Sequence, residues 1–181
     1  MTATITAKLK KSELKNCIRD IPNFPKEGIV FKDLSTLLNN KDAFKKSVDL
    51  LTKQFRHEKI DFVVGVEARG FIFGATLAYK LHAGFVPVRK KGKLPYKTKS
   101  VTYQLEYGTD TLEIHEDAVH PGSRVLVVDD LLATGGTVKA VTELMKGQRA
   151  VIVGLAFLVE LRFLKGKEKL KDFPVYSVIK Y

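Results

Sequence analysis

The run Val125-Leu-Val-Val-Asp-Asp-Leu-Leu-Ala-Thr-Gly-Gly-Thr137 decides how this chain is read. Val125 to Val128 are apolar and mostly β-branched, the pattern of a strand buried in a parallel sheet. Two adjacent carboxylates, Asp129 and Asp130, stand where that strand is expected to end. A loop of small residues follows, Ala133-Thr-Gly-Gly-Thr137, and a helical pattern starts near Val138. In open α/β sheets, ligands bind outside the carboxyl ends of the strands. A Gly/Thr loop feeding a helix N-terminus offers backbone N–H groups and a positive dipole end to a phosphate. Carboxylates beside such a loop would repel a phosphate unless they serve another part of the ligand, such as sugar hydroxyls or a magnesium shell. The segment therefore points to a ligand carrying a ribose and a phosphate. The plainer alternative is a buried strand with a solvated Asp pair and an ordinary turn. A nucleotide P-loop fits less well, because no Gly-Lys-Ser/Thr closes the loop.

These thirteen residues resemble the phosphoribosyl-pyrophosphate (PRPP) motif of type I phosphoribosyltransferases. The resemblance implies that Asp129, Asp130, Ala133, Thr134, Gly135, Gly136 and Thr137 bind PRPP.

Composition narrows the class. A chain of 181 residues is enough for one domain with a substantial core. No apolar run approaches the ~20 residues of a membrane span, and the N-terminus lacks the apolar core of a secretory signal. The single cysteine, Cys17, excludes an internal disulfide framework and fits a reducing cytoplasm. Net charge is +11, which suits nucleic acid, a membrane surface or a polyanionic small molecule. One basic cluster is Arg89-Lys-Lys-Gly-Lys93 with Lys97 and Lys99, in a candidate active-site loop. The other, Arg162, Lys165, Lys167, Lys169 and Lys171, reads as a solvated face.

Along the chain, residues 8–21 look helical, with Leu9, Leu14, Ile18 and Ile21 as a stripe, until Pro22 and Pro25 break the pattern. Asp42 is placed to cap a helix over about 43–57 whose apolar face is Phe44, Val48, Leu51 and Phe55. Phe62–Val66 reads as a strand, Gly70–Leu81 as a helix and Phe85–Val88 as a strand. Residues 89–100 read as a basic loop, and 101–107 with 111–115 as a two-stranded flap turning at Gly108. After the motif strand and helix, Val151–Val159 and Val175–Ile179 complete the pattern. Strands alternating with helices predict an α/β fold. The expected architecture is an open, mainly parallel sheet flanked by helices, with a small flap or hood. A single domain is expected over 1–181, with a base-binding segment at about 20–35 and a flexible loop and flap at about 89–115.

A second strand-to-helix junction repeats the logic of the first. Strand Phe62–Val66 runs into Glu67-Ala-Arg-Gly70, where backbone N–H groups and a guanidinium fork could cradle a pyrophosphate. It falls where type I phosphoribosyltransferases bind that group, which adds Glu67, Ala68 and Arg69 to the implied PRPP site. The family often has Asp-Ser where this chain has Glu67-Ala68, and the resemblance implies a cis peptide there. Outside the two loops, the resemblance narrows to the adenine phosphoribosyltransferase family. It is carried by Phe24-Pro-Lys-Glu-Gly-Ile-Val-Phe-Lys-Asp33, Arg89-Lys-Lys-Gly-Lys-Leu-Pro95, Leu105-Glu-Tyr-Gly108, Val159-Glu-Leu161 and Leu164-Lys-Gly-Lys-Glu-Lys-Leu170. It implies base binding by Val30, Phe31 and Lys32, the last an Arg in some relatives. Arg89 and Lys93 join the PRPP contacts, Glu106 and Arg69 are the catalytic candidates, and a homodimer is expected.

The implied reaction displaces pyrophosphate from the anomeric carbon of PRPP by a purine nitrogen. Glycosyl chemistry passes through an oxocarbenium-like sugar. Asp129 and Asp130 can hold ribose hydroxyls and face that cation, while Arg69, Arg89 and Lys93, with Mg2+ bound mainly through PRPP, neutralise the leaving group. By the resemblance, Glu106 in Leu105-Glu-Tyr107 is the candidate proton handler at the purine, where a lone Glu would otherwise read as surface charge. The histidines, His57, His82, His115 and His120, have no paired metal-ligand spacing, so no protein-held metal site is expected. Two rivals remain: a phosphoribosyltransferase for another base such as xanthine, and a PRPP-sensing regulator that binds nucleic acid through its basic surface. The second lacks any appended helix-turn-helix module, and neither a membrane nor a nucleic-acid partner is expected.

Overall fold

The computed structural model describes residues 9–104 and 108–181. They fall into two compact units, one ending at Leu50 and the other beginning at Leu51.

In the first unit the expected helix over 8–21 shrinks to a 3-10 turn, Lys11–Cys17. The next residues are extended: β1 (Arg19–Pro22) pairs antiparallel with β2 (Val30–Asp33), in register from Arg19↔Asp33 to Pro22↔Val30. Two cross-strand ion pairs fix that register, Arg19 Nη2 to Asp33 Oδ2 at 2.6 Å and Lys32 Nζ to Asp20 Oδ1 at 2.7 Å. The apolar stripe was thus real at Leu14 and Ile18, both buried, but its last member belongs to a strand. The connection holds a cis Phe24–Pro25 bond, and Asn23 at φ 56° accepts the Gly28 N–H through its side chain. A short α1 (Ser35–Asn39) leads to α2 (Lys41–Phe55), which carries the chain across the unit boundary. The cap of α2 is Asn40, not Asp42: its Oδ1 accepts the N–H groups of Asp42 and Ala43, each at 3.1 Å. The buried face is also rotated slightly, taking in Ala43 and Ser47 with Val48, Leu51 and Phe55, while Phe44 is half-buried.

The second unit is built on a seven-stranded sheet in the order β5-β6-β4-β3-β7-β8-β9. Its strands are β3 (Phe62–Val66), β4 (Gly84–Lys90), β5 (Thr98–Gln104), β6 (Thr109–His115), β7 (Arg124–Leu132), β8 (Val151–Glu160) and β9 (Val175–Lys180). Helices α3 (Gly70–Leu81) and α4 (Gly136–Gly147) follow β3 and β7. All pairs from β4 to β9 through β3, β7 and β8 are parallel; β6 joins β4, and β5 joins β6, antiparallel. This is the expected open, mainly parallel sheet. Val63, Val64, Val66 and Val125–Val128 are all at most 1% exposed, as central strands covered on both faces require.

The topology sets the site. Strands β3 and β7 are neighbours, yet the chain leaving β3 returns at β4 on one side and the chain leaving β7 returns at β8 on the other. That reversal opens a crevice at the carboxyl ends of β3 and β7. Two boundaries differ from the sequence reading. β7 continues past the Asp pair to Leu132, because β8 pairs with it through Leu132↔Glu160. The basic loop is shorter than 89–100, since Arg89 and Lys90 pair with β6 and β5 begins at Thr98.

Candidate active site

The loop after β7 is shaped by its glycines. Gly135 has φ +77°, a conformation glycine adopts without strain, and it stands at the N-terminus of α4. The first-turn N–H groups of any helix lack an intrahelical acceptor, so the residues opening α4 present donors at the loop's end. A small pocket is lined by Asp129 and residues 131–138. Thr137 Oγ1 lies 3.4 Å from the Tyr103 hydroxyl of β5, a contact that its position in sequence gave no sign of.

Asp129 and Asp130 do not simply end a strand; they are held from the neighbouring junction. Arg69 Nε lies 2.7 Å from Asp130 Oδ2, and Asp130 is 4% exposed. A Cβ added to Gly70 would lie 2.8 Å from Asp129 Oδ1 and 3.1 Å from the Val128 carbonyl, so only glycine fits between α3 and the acid pair. Asp129 Oδ1 also accepts the Asp130 N–H at 2.9 Å. Burial and the neighbouring Asp130 push the Asp129 carboxyl well above the usual range. Burial raises Asp130 as well, against the pull of Arg69. An acid pair with Asp130 buried, Asp129 half-buried and one nearby guanidinium is poised to welcome positive charge and hydroxyl donors.

The junction after β3 gathers the first basic cluster. The Glu67–Ala68 peptide is cis. The Glu67 carboxylate accepts hydrogen bonds from Lys93 Nζ, from Arg89 Nε at 3.2 Å and from the Lys90 N–H at 3.0 Å. Burial opposes its ionisation, but these bonds outweigh it and hold the carboxyl at about 2. Arg89 and Lys93 therefore converge on Glu67, whereas Arg69 turns to Asp130. The intervening loop is tied down by the Gly92 N–H on Glu113 Oε2 at 2.9 Å and the Lys91 N–H on the Thr111 carbonyl at 3.1 Å.

The sequence-assigned base segment lies in the first unit, on β2. Val30 is 48% exposed, Phe31 packs edge-on to Phe24 with ring centroids 5.2 Å apart, and Lys32 reaches Asp20. Glu106 lies outside the described residues. Sequence reasoning missed Gly70 and Tyr103. A glycine directly after Arg69 was on view, but its reason is a contact with a strand about sixty residues away in sequence.

Comparison with known proteins identifies the family. A family model described as the phosphoribosyl transferase domain matches residues 33–181. An adenine phosphoribosyltransferase of Syntrophotalea carbinolica is 63% identical over 169 residues, spanning 93% of this chain and 99% of that protein. The crystal structure of the enzyme from Thermoanaerobacter pseudethanolicus superposes with a TM-score of 0.92 at 51% identity, covering 95% of this chain and all of the other. The Saccharomyces cerevisiae enzyme, solved with an imino-altritol bisphosphate and adenine, gives a TM-score of 0.87 at 45% identity, over 93% of this chain and 97% of that one. The fold, the PRPP motif and these relatives lead to one conclusion: the chain belongs to the type I phosphoribosyltransferases, among the adenine phosphoribosyltransferases.

Proposed function

We infer that the protein is a purine-salvage transferase that joins adenine to PRPP, giving AMP and pyrophosphate. The observation that carries this is the Asp129–Asp130 pair, half-buried and buried in turn, against Arg69 and beside a glycine-rich loop at the N-terminus of α4. The loop 133–137 takes the ribose 5-phosphate through backbone N–H groups. The acid pair accepts from the ribose hydroxyls and offers negative potential to the sugar as it becomes cationic. The bond from the anomeric carbon to the pyrophosphate oxygen breaks as N9 of adenine bonds to that carbon. Glu106 manages the proton lost by the purine. Arg69, Arg89 and Lys93 neutralise the leaving pyrophosphate, with one such donor typically worth about 3 kcal/mol. Arg89 and Lys93 then exchange the Glu67 carboxylate for pyrophosphate oxygens.

Mg2+ would be carried by the diphosphate and would supply charge neutralisation there. It is a hard cation that prefers oxygen ligands and keeps few protein donors, and two vicinal carboxylates beside a phosphate loop fit that chemistry. Base choice rests on main-chain groups near Val30 on β2. A carbonyl accepting from the 6-amino group and an N–H donating to N1 suit adenine. Hypoxanthine inverts both, leaving two mismatched groups at about 1–3 kcal/mol each. A single domain over 1–181 is supported by a relative that aligns over 93% of the chain. A homodimer is supported by α3, whose Ile72, Ala75 and Tyr79 form an exposed apolar stripe at helical spacing, Tyr79 being 85% exposed. A cytoplasmic setting suits the single half-buried thiol of Cys17; among the described residues no helix is long and apolar enough to cross a membrane.

The regulator reading gains little, because part of the basic excess is already engaged: Arg89 and Lys93 on Glu67, Lys90 on Asp110, Lys99 on Gln148. The deciding experiment is a steady-state assay with PRPP, magnesium and a panel of adenine, hypoxanthine, guanine and xanthine. Adenine should be converted to AMP with kcat/KM far above the 6-oxopurines. Comparable use of xanthine would overturn the base assignment.

A further inference from the structure

The second basic run, Arg162 to Lys171, has no part in the chemistry above. Its side chains do form the solvated face expected: Lys165, Lys167, Lys169 and Lys171 are exposed. Its backbone does something else. Two 3-10 turns, Arg162–Leu164 and Gly166–Leu170, meet at Lys165, which has φ 54°, and between the exposed lysines Gly166 is buried. A Cβ on Gly166 would lie 2.1 Å from the Ala133 carbonyl oxygen and 2.9 Å from the Gly135 nitrogen, both backbone atoms of the glycine-rich loop. The exclusion is mutual, since a Cβ on Gly135 would lie 2.5 Å from the Gly166 carbonyl oxygen. Gly135 also has a positive φ to account for its identity; Gly166 does not, so its need for glycine is steric alone.

The clash could not be relieved by moving the segment outward. The Leu161 N–H bonds the Leu132 carbonyl at 2.9 Å, and the Arg162 N–H bonds the Tyr181 carbonyl at 3.0 Å. At the other end, Leu170 is fully buried in the same core cluster as Val138 and Val141 of α4. A side chain at 166 must therefore displace residues 133–135.

We propose that Gly166 is a positioning residue for phosphate binding, setting the backbone of the loop 133–137 by leaving room for it. This rests on the reading that the loop holds the ribose 5-phosphate. Gly166→Ala should raise the KM for PRPP about tenfold or more, as backbone donors to a charged phosphate lose alignment. The KM for adenine and kcat at saturating PRPP should stay near wild type, the pattern of lost uniform binding. Gly147→Ala, at a glycine with open space around it, should match wild type throughout. Gly135→Val, made in parallel, separates the two readings. If Gly135→Val weakens PRPP and Gly166→Ala does not, the positioning role is wrong and the phosphate loop stands. If neither does, the phosphate loop assignment fails and the proposal with it. Should Gly166→Ala not fold, amide hydrogen exchange on the wild-type protein decides, with ribose 5-phosphate as the probe. Slowed exchange is expected in both 133–137 and 164–168; protection confined to 133–137 overturns the proposal.

Discussion

At the residue scale, Asp129 and Asp130 set function against stability. Both carboxyls are raised in the folded protein, mainly by burial. A folded pKa above the unfolded value means the native state binds more protons, so this contribution falls as pH rises from the unfolded pKa through the folded one. The Asp129→Asn, Asp130→Asn double variant should therefore keep its melting temperature at pH 7, or gain, and show a flatter stability profile as pH rises above the ordinary carboxylate range. Its kcat should fall by at least ~10²-fold, because charge facing the ribosyl cation is gone. Calorimetry across pH beside steady-state kinetics checks both; near-normal turnover would remove the pair from the mechanism. Glu106 carries a separate expectation. Glu106→Gln keeps size and hydrogen bonding but cannot ionise, so kcat with adenine should drop ~10²–10⁴-fold. PRPP affinity should hold and the pH–rate profile should lose one limb. Wild-type kcat and pH dependence would leave the reaction to electrostatics and positioning.

At the element scale, the basic loop between β4 and β5 links binding to order. Its lysines and glycine suggest a segment with few anchors, yet the Gly92 N–H rests on the buried Glu113, and Lys93 reaches Glu67. These are polar ties, and polar ties exchange with water and ligand more readily than apolar packing does. Limited proteolysis should cut between residues 91 and 97, and PRPP with magnesium should slow the cut. Glu113→Gln should speed cleavage severalfold in the ligand-free protein by weakening the acceptor for Gly92. Protection by DNA or RNA but not by PRPP would favour the regulator. The two strand-to-helix junctions behave differently from this loop. Each is fixed by a strand on one side and a helix on the other, and Gly70 locks one against the other.

At the scale of the whole molecule, the exposed stripe on α3 makes the oligomeric state a test. Tyr79→Arg and Ile72→Glu together should convert a dimer to a monomer in light scattering, with α3 itself retained by circular dichroism; an unchanged mass would move the interface elsewhere. Much of the molecule was legible in its sequence. Phe62–Val66 and Gly70–Leu81 matched residue for residue, because a β-branched run and a glycine-bounded helix are local signals. The PRPP motif and the Glu67-Ala-Arg-Gly70 junction were legible because each strand-to-helix turn lies in one unbroken stretch. What the tertiary structure alone decided were matters of pairing. Ile21 joined a strand because Arg19–Pro22 found β2; β7 outran its acid pair because β8 continued beside it. Arg69 took Asp130 while Arg89 and Lys93 took Glu67, and Gly166 closed against Ala133 and Gly135. Sequence by itself determined the fold class and the two strand-to-helix junctions, since periodicity and turn chemistry act over a few residues. Which charges meet, and which glycines must be glycine, depends on chain segments tens of residues apart approaching within a few ångströms, and only the folded packing sets those distances.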